Sequence, residues 1–83
     1  MGRDMAIIRS FAAGHQSVQL HRSQVDCYHQ TVTADDGSVY LHLTTFGSDD
    51  REVKGKSSQS LQLSADAAHE LVAIIESTFG RRY

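Results

Sequence analysis

The spacing of apolar and polar residues changes at Ser64, from alternation at every second residue to a repeat of three or four. Before Ser64 the clearest alternation lies within residues 38–46. It predicts a β-strand, because strand side chains point alternately to opposite faces. Residues 25–33 are rich in β-branched and aromatic side chains and predict a second strand. Asp35-Asp36-Gly37-Ser38 favours a tight reversal, since glycine accepts a positive φ and aspartate favours turns. The two strands are therefore predicted to form a hairpin.

The alternation recurs over residues 57–63, which predicts a further strand ending in Leu61 and Leu63. It also assigns the side chains to two faces of a sheet. One face is predicted to be apolar, with Val39, Leu41 and Leu43. The other is predicted to be aromatic and polar, with Tyr40, His42, Thr44, Phe46, Ser58, Ser60 and Gln62.

After Ser64 the repeat predicts a helix over residues 65–79. Ser64 is a good N-cap, Asp66 lies at the positive end of the helix dipole, and Gly80 supplies a C-terminal stop. We expect the apolar stripe of this helix to pack on the leucine face of the sheet rather than on a partner or a membrane. The stripe consists of Ala67, Ala68, Leu71, Val72, Ile74, Ile75 and Phe79.

The N-terminal segment fits two elements. Asp4 is a possible cap for a short helix ending at Gly14, but residues 5–12 also fit a strand. We favour the strand, because a three-stranded sheet under one helix leaves an unprotected edge that a fourth strand displaces outward. The predicted fold is α+β, a single domain over residues 1–83 in the order β-β-β-β-α, with a four-stranded antiparallel sheet and one C-terminal helix.

Length and composition narrow the function classes. A chain of 83 residues buries a marginal core, which dimerisation relieves. No apolar run is long enough to span a bilayer, no signal-peptide pattern is present, and a single cysteine, Cys27, suits a reducing compartment. We therefore expect a cytoplasmic protein. The net charge of −2 gives no global attraction to nucleic acid, so such binding requires a local basic cluster.

Catalytic and metal-binding patterns are weak. Cys27 and His29 fall on one strand face, and His21 and His42 are further candidate ligands, but no spacing matches a zinc motif. The paired aspartates occur in turn-like stretches, which explains them without catalysis. We predict a protein that is not an enzyme and has no cofactor or metal.

Two resemblances extend this interpretation. Phe46-Gly-Ser-Asp-Asp-Arg51, Gly55-Lys-Ser-Ser-Gln-Ser-Leu-Gln-Leu63 and Ala68-His-Glu-Leu71 resemble phrases in a group of short bacterial proteins with no assigned activity. The element order, with a basic loop and Gly55-Lys56 before the last strand, is more distantly similar to the single-stranded-DNA-binding domain of the transcriptional coactivator positive cofactor four and its bacterial relatives.

The second resemblance implies a homodimer in which curved antiparallel sheets present polar and aromatic side chains to unpaired nucleotides, with helices at the dimer interface. It also implies roles for three cations. Lys56 corresponds to the lysine of the glycine-lysine pair, and Arg51 and Lys54 fall in the preceding basic loop.

The residues themselves support the same hypothesis. Unpaired bases stack on aromatic rings, so the face with Tyr40, His42 and Phe46 suits a single strand better than a duplex. We predict binding of single-stranded DNA or RNA through this face and through Arg51, Lys54 and Lys56, in the manner of a transcriptional cofactor. The alternative is a small dimeric protein-interaction or structural module whose sheet face or strand edge docks a partner chain.

Overall fold

The computed structural model describes residues 6–46 and 57–81, and within them the chain forms four β-strands and one α-helix. The strands are β1 (Ala6–Ile8), β2 (Cys27–Thr33), β3 (Val39–Phe46) and β4 (Ser57–Leu63), and the helix is α1 (Ala65–Phe79). The predicted α+β class and element order are confirmed.

The sheet is mixed rather than wholly antiparallel. Its strand order is β1-β4-β3-β2, and β1 runs parallel to β4 while the other two pairs are antiparallel. The expectation of an antiparallel sheet is therefore wrong for β1. Parallel strands cannot be joined by a tight turn and need a long connection. Here residues 9–26 carry the chain from β1 at one edge of the sheet to β2 at the other edge.

The strand predicted over residues 5–12 is also shorter in the structure, since residues 9–12 are not in a strand. The ladder to β4 pairs Ala6 with Leu61 and Ile8 with Leu63. Leu63 is the last residue of β4, and the chain then enters α1. β1 stops at Ile8 because its neighbour offers no further strand backbone to pair with.

The β2–β3 hairpin closes through the predicted turn. The Ala34 amide donates to the Ser38 carbonyl at 2.8 Å, and the Gly37 amide donates to the Ala34 carbonyl at 2.9 Å. Gly37 has φ of 91°, a conformation that costs glycine little. Ser38 donates from both its amide and its hydroxyl to the Asp36 carboxylate. The turn fixes the register in which Thr33 faces Val39 and Cys27 faces Thr45.

The ends of α1 are capped as the sequence indicates. The Ser64 hydroxyl accepts a hydrogen bond from the Ala67 amide at 3.2 Å. At the other end Gly80 has φ of 82°, and its amide donates to the Glu76 carbonyl at 2.8 Å. The caps position Ala67 against the end of β4, where Ala67 and Leu63 are 1% and 2% exposed.

Only the beginning of α1 packs as expected. Among the described residues, Leu63 and Ala67 are the two buried apolar side chains, although α1 lies against both β3 and β4. Four apolar residues further along the helix are exposed: Val72, Ile74, Ile75 and Phe79. The expectation that the whole stripe packs on the leucine face is therefore wrong, because Ala67 is buried and Ala68 and Leu71 are half-buried, but the rest of the stripe is exposed.

The amount of exposed surface agrees with this incomplete packing. The chain exposes 7569 Å², whereas a compact monomer of its mass exposes about 4,900 Å². Its Cα radius of gyration is 15.0 Å, against about 12 Å for a compact domain of this length. The apolar side chains that remain exposed on α1 are Val72, Ile74, Ile75 and Phe79.

Candidate nucleic-acid interface

The two faces of the sheet follow from the strand registers. His42 lies opposite Gln30 on β2 and Gln62 on β4, and Thr44 lies opposite Tyr28 and Ser60. Directly opposed residues share a face, and alternate residues along a strand do so too. We call the resulting surface the bare face. Its members are Ile7, Tyr28, Gln30, Val32, Tyr40, His42, Thr44, Phe46, Ser60 and Gln62.

The bare face lies on the side of the sheet away from α1. Leu63, which alternates with Gln62 along β4, is buried beside Ala67 of the helix. Since α1 is the one helix within residues 6–46 and 57–81, no described helix covers the bare face. An extended ligand can therefore approach it without displacing the core.

An aromatic pair lies near one end of this face. The rings of Tyr28 and Phe46 have centroids 5.3 Å apart and planes at 78°. This edge-to-face arrangement is an energetically favourable one for two aromatic rings. Tyr28 is 56% exposed and Phe46 is half-buried. The pair orients two rings while leaving part of their surface open to a ligand.

A hydrogen-bonded group holds the centre of the bare face. The Gln62 side-chain nitrogen lies 3.0 Å from His42 Nδ1, and His42 Nε2 lies 3.1 Å from the Thr44 hydroxyl. An amide nitrogen only donates, so Nδ1 accepts and the ring proton is on Nε2, directed at Thr44. These bonds fix the plane of the His42 ring. They also leave the amide oxygen of Gln62 available to a base edge.

The predicted site residues fall into two groups. The structure places Tyr40, His42 and Phe46 together on the bare face, as alternation predicted. Arg51, Lys54 and Lys56 lie outside the described residues. The bare face itself contains no lysine, arginine or carboxylate. The nearest cations in the sequence are those of the predicted loop, which follows directly after Phe46.

Sequence reasoning missed the contribution of β2 to this surface. Tyr28, Gln30 and Val32 belong to the bare face, but they were not among the predicted site residues. The signal was present in the hairpin. Closing the turn between Ala34 and Ser38 places Tyr28 opposite Thr44, and hence beside Phe46.

Between β3 and β4 the register shifts after Thr45. Thr45 lies opposite Gln59, but Phe46 lies opposite Ser57, so Ser58 is an additional residue in β4. Such a bulge bends its strand and increases the local twist. It occurs where the bare face meets the segment with the predicted cations.

Three of the residues considered as metal ligands are divided between the faces. Cys27 and His29 lie opposite Thr45 and Leu43 on the leucine side, whereas His42 is on the bare face. Cys27 borders an open concavity of about 140 Å³ whose lining also includes Leu43 and Leu61. Within residues 6–46 and 57–81 no three histidines, cysteines or carboxylates are grouped so that they could hold a metal ion.

Comparisons with other proteins add no identification: no family model, curated protein or solved structure matches this chain. In the described part of the chain, no helix has the length and apolar character needed to cross a bilayer.

Proposed function

We propose that this protein binds single-stranded nucleic acid on the bare face and has no enzymatic activity. The observation that carries the proposal is the arrangement of Tyr28, Tyr40 and Phe46 around the fixed His42–Gln62 pair, on the side of the sheet that no described helix covers. Rings stack on bases of any identity, and amide and imidazole groups bond to base edges. A flexible, unpaired strand can place successive bases on such a surface, whereas a duplex keeps its bases stacked inside.

The phosphates require a second contribution. The bare face is uncharged, and single-stranded binding normally combines aromatic stacking with a basic groove along the backbone. We assign this contribution to Arg51, Lys54 and Lys56. Together with stacking, these cations would give affinity with little preference for sequence. The cellular role suggested by the resemblance is that of a transcriptional cofactor, in the cytoplasm of a bacterium.

We further assign the apolar side to a homodimer. The exposed apolar residues of α1 lie on the same side of the sheet as Leu41, Leu43 and Leu61, and a second copy would cover both sets. A standard interface removes about 800 Å² from each partner, and the exposed side chains of Val72, Ile75 and Phe79 would contribute to it. Light scattering at micromolar concentration should therefore give a mass of at least two chains, and a concentration-independent monomer mass would contradict the assignment.

The binding experiment is fluorescence anisotropy with a labelled oligothymidine, at low salt and over a salt series. Phe46→Ala should weaken binding by about 1 to 3 kcal/mol, or roughly 5- to 150-fold, because a stacking ring is lost. Thr45→Ala is the matched control, since Thr45 is the neighbouring residue on the opposite face. Lys54→Glu and Lys56→Glu should weaken binding and reduce its salt dependence.

The outcomes separate the parts of the proposal. If the wild-type protein does not bind at low salt, the proposed function is wrong. If Phe46→Ala weakens binding but the lysine variants do not, the face binds and the assignment of the loop is wrong. If Thr45→Ala and Phe46→Ala have equal effects, the bare face is not the contact surface.

The second candidate function is a protein-interaction module. The observation that favours it is the exposure of Ile75 and Phe79 on α1, at 44% and 82%. In that case the exposed helix takes a partner protein rather than a second copy, and Ile75→Glu should abolish the interaction while Phe46→Ala leaves it intact.

A further inference from the structure

The outer edge of β2 is an unpaired strand of seven residues. β2 is the last strand in the order β1-β4-β3-β2, and every residue from Cys27 to Thr33 is exposed. Among the described residues, β2 pairs with β3 on its inner side and with no strand on its outer side. A row of backbone N–H and C=O groups therefore faces outward, which is the template that another strand requires.

This edge lacks the features by which proteins prevent edge-to-edge pairing. Common protections are a lysine, a proline, an inward-pointing charge or a bulge on the edge strand. The sequence from Cys27 to Thr33 contains no lysine, arginine, carboxylate or proline. Its register with β3 is continuous over seven residue pairs, and the irregularity in the sheet lies between β3 and β4. β2 is thus a regular edge that is open to pairing.

The hairpin determines which backbone groups face outward. The bond from the Ala34 amide to the Ser38 carbonyl marks this pair as hydrogen-bonded. Hydrogen-bonded and non-hydrogen-bonded pairs alternate along an antiparallel ladder. Val32, Gln30 and Tyr28 therefore bond inward to β3. The residues that direct their N–H and C=O groups outward are Cys27, His29, Thr31 and Thr33.

The outward groups are self-complementary about Gln30. If a second copy is placed antiparallel on a two-fold axis at Gln30, His29 faces Thr31 of the second copy and Cys27 faces its Thr33. Both pairs join outward-directed groups, as an antiparallel ladder needs. This register uses all seven residues. It also sets Tyr28 opposite Val32 of the second copy, an aromatic and β-branched pair of the kind that stabilises sheets.

We propose that β2 pairs with β2 of a second copy in this register, so that two bare faces form one continuous surface of eight strands. Tyr28 and Val32 are 56% and 38% exposed in the isolated chain, and the pairing covers part of both side chains. The contact is separate from the dimer assigned to the apolar side and does not depend on nucleic-acid binding. With both contacts present, each chain has two isologous interfaces, and closed symmetry gives a tetramer.

Cysteine cross-linking tests the register. The first variant is Gln30→Cys in a Cys27→Ser background. In the proposed register, the thiol at position 30 of one copy faces the thiol at position 30 of the other, in a non-hydrogen-bonded pair. The Cα separation there is about 4.5 Å, within the range that a disulfide spans. In a glutathione redox buffer this variant should form a covalent dimer on a non-reducing gel. Val32→Cys in the same background is the control, because the two thiol positions would lie about 14 Å apart along the strands.

The results are decisive if far-UV circular dichroism shows that both variants fold. Strong cross-linking at position 30 with little at position 32 supports the register. No cross-link at position 30, or equal cross-linking at both positions, overturns it. Adding Ile75→Glu should leave the cross-link intact, which separates this contact from the apolar dimer. If the wild-type protein does not bind oligothymidine but the variant at position 30 still cross-links, the proposed function is wrong and the β2 pairing stands.

Discussion

The two sides of the sheet differ in how their side chains find partners. On the bare face, the ring of His42 is hydrogen-bonded within the sheet, and the rings of Tyr28 and Phe46 contact each other. On the helix side, Leu63 and Ala67 are buried, while Ile75 and Phe79 remain exposed. A polar and aromatic surface of this kind is stable in water. Exposed apolar side chains such as those on the helix side are less favourable in water, because burying them would remove apolar area from it.

We propose different tasks for the two sides on the basis of this difference. The bare face is organised before any ligand arrives, so a ligand pays little to order it. The helix side gains most from being covered, because removing apolar area from water contributes about 25 cal/mol per Å². We therefore expect substitutions on the helix side to change stability and assembly, and those on the bare face to change ligand binding.

The largest effect should come from Leu63→Ala. Leu63 is 2% exposed between β4 and α1, and a buried Leu→Ala change typically costs about 2 to 5 kcal/mol. Leu20→Ala is the matched control because Leu20 is 97% exposed; its effect should stay within about 0.5 kcal/mol. Urea unfolding at a fixed protein concentration measures both. Equal losses would contradict the location of the core.

The next effect concerns assembly. Ile75→Glu places a charge in the apolar surface of α1, and we expect self-association across that side to weaken at least tenfold, or about 1.4 kcal/mol. Ser77→Glu is the control, since residues two apart on a helix do not face each other. Sedimentation equilibrium measures both variants. The same weakening in each would mean that charge, and not the apolar stripe, governs assembly.

A smaller effect is expected within the bare face. Gln62→Ala removes the donor to His42 Nδ1, and loss of such a bond costs about 0.5 to 1.5 kcal/mol. Gln59→Ala is the control, because Gln59 is on the same strand but opposite Thr45 on the other face. Thermal unfolding compares the two. If Gln59→Ala destabilises the protein as much, the hydrogen-bonded group does not organise the face.

The smallest effect concerns the exposed hairpin turn. Hydrogen bonds from the Ser38 hydroxyl and amide lower the pKa of Asp36. Because the folded pKa lies below the unfolded one, these bonds stabilise the protein above the unfolded pKa. This stabilisation is lost as the pH falls through the folded pKa. In Ser38→Ala the pKa of Asp36 should rise towards its ordinary value, as measured by NMR titration of the carboxyl carbon.

Ser17→Ala serves as the control for that titration, since Ser17 is exposed and lies outside the turn. An unchanged Asp36 titration in Ser38→Ala would show that the hydroxyl does not hold the carboxylate.

Local patterns predicted much of the fold. The Asp-Asp-Gly turn, the alternation through β3 and the caps at Ser64 and Gly80 each depend on nearby residues. The position of β1 does not. Its parallel pairing with β4 joins residues far apart in the chain, and no period within residues 5–12 indicates which edge of the sheet they reach.

The candidate site likewise combines features that local patterns predict with features that depend on tertiary structure. Alternation alone placed Tyr40, His42 and Phe46 on one face, whereas Tyr28 needed the register of the hairpin. The apolar stripe of α1 was recognised, but the pattern does not say whether the stripe faces its own sheet or another chain. That distinction depends on where the helix axis lies, which is a tertiary property.

The most direct test of the assignment of the two sides is an NMR titration of isotope-labelled protein with oligothymidine. We expect chemical-shift changes to concentrate on Tyr28, Tyr40, His42 and Phe46, while the methyl groups of Leu61 and Ile75 change little. Shift changes concentrated on Leu61, Ile75 and Phe79, with the bare face unaffected, would contradict it.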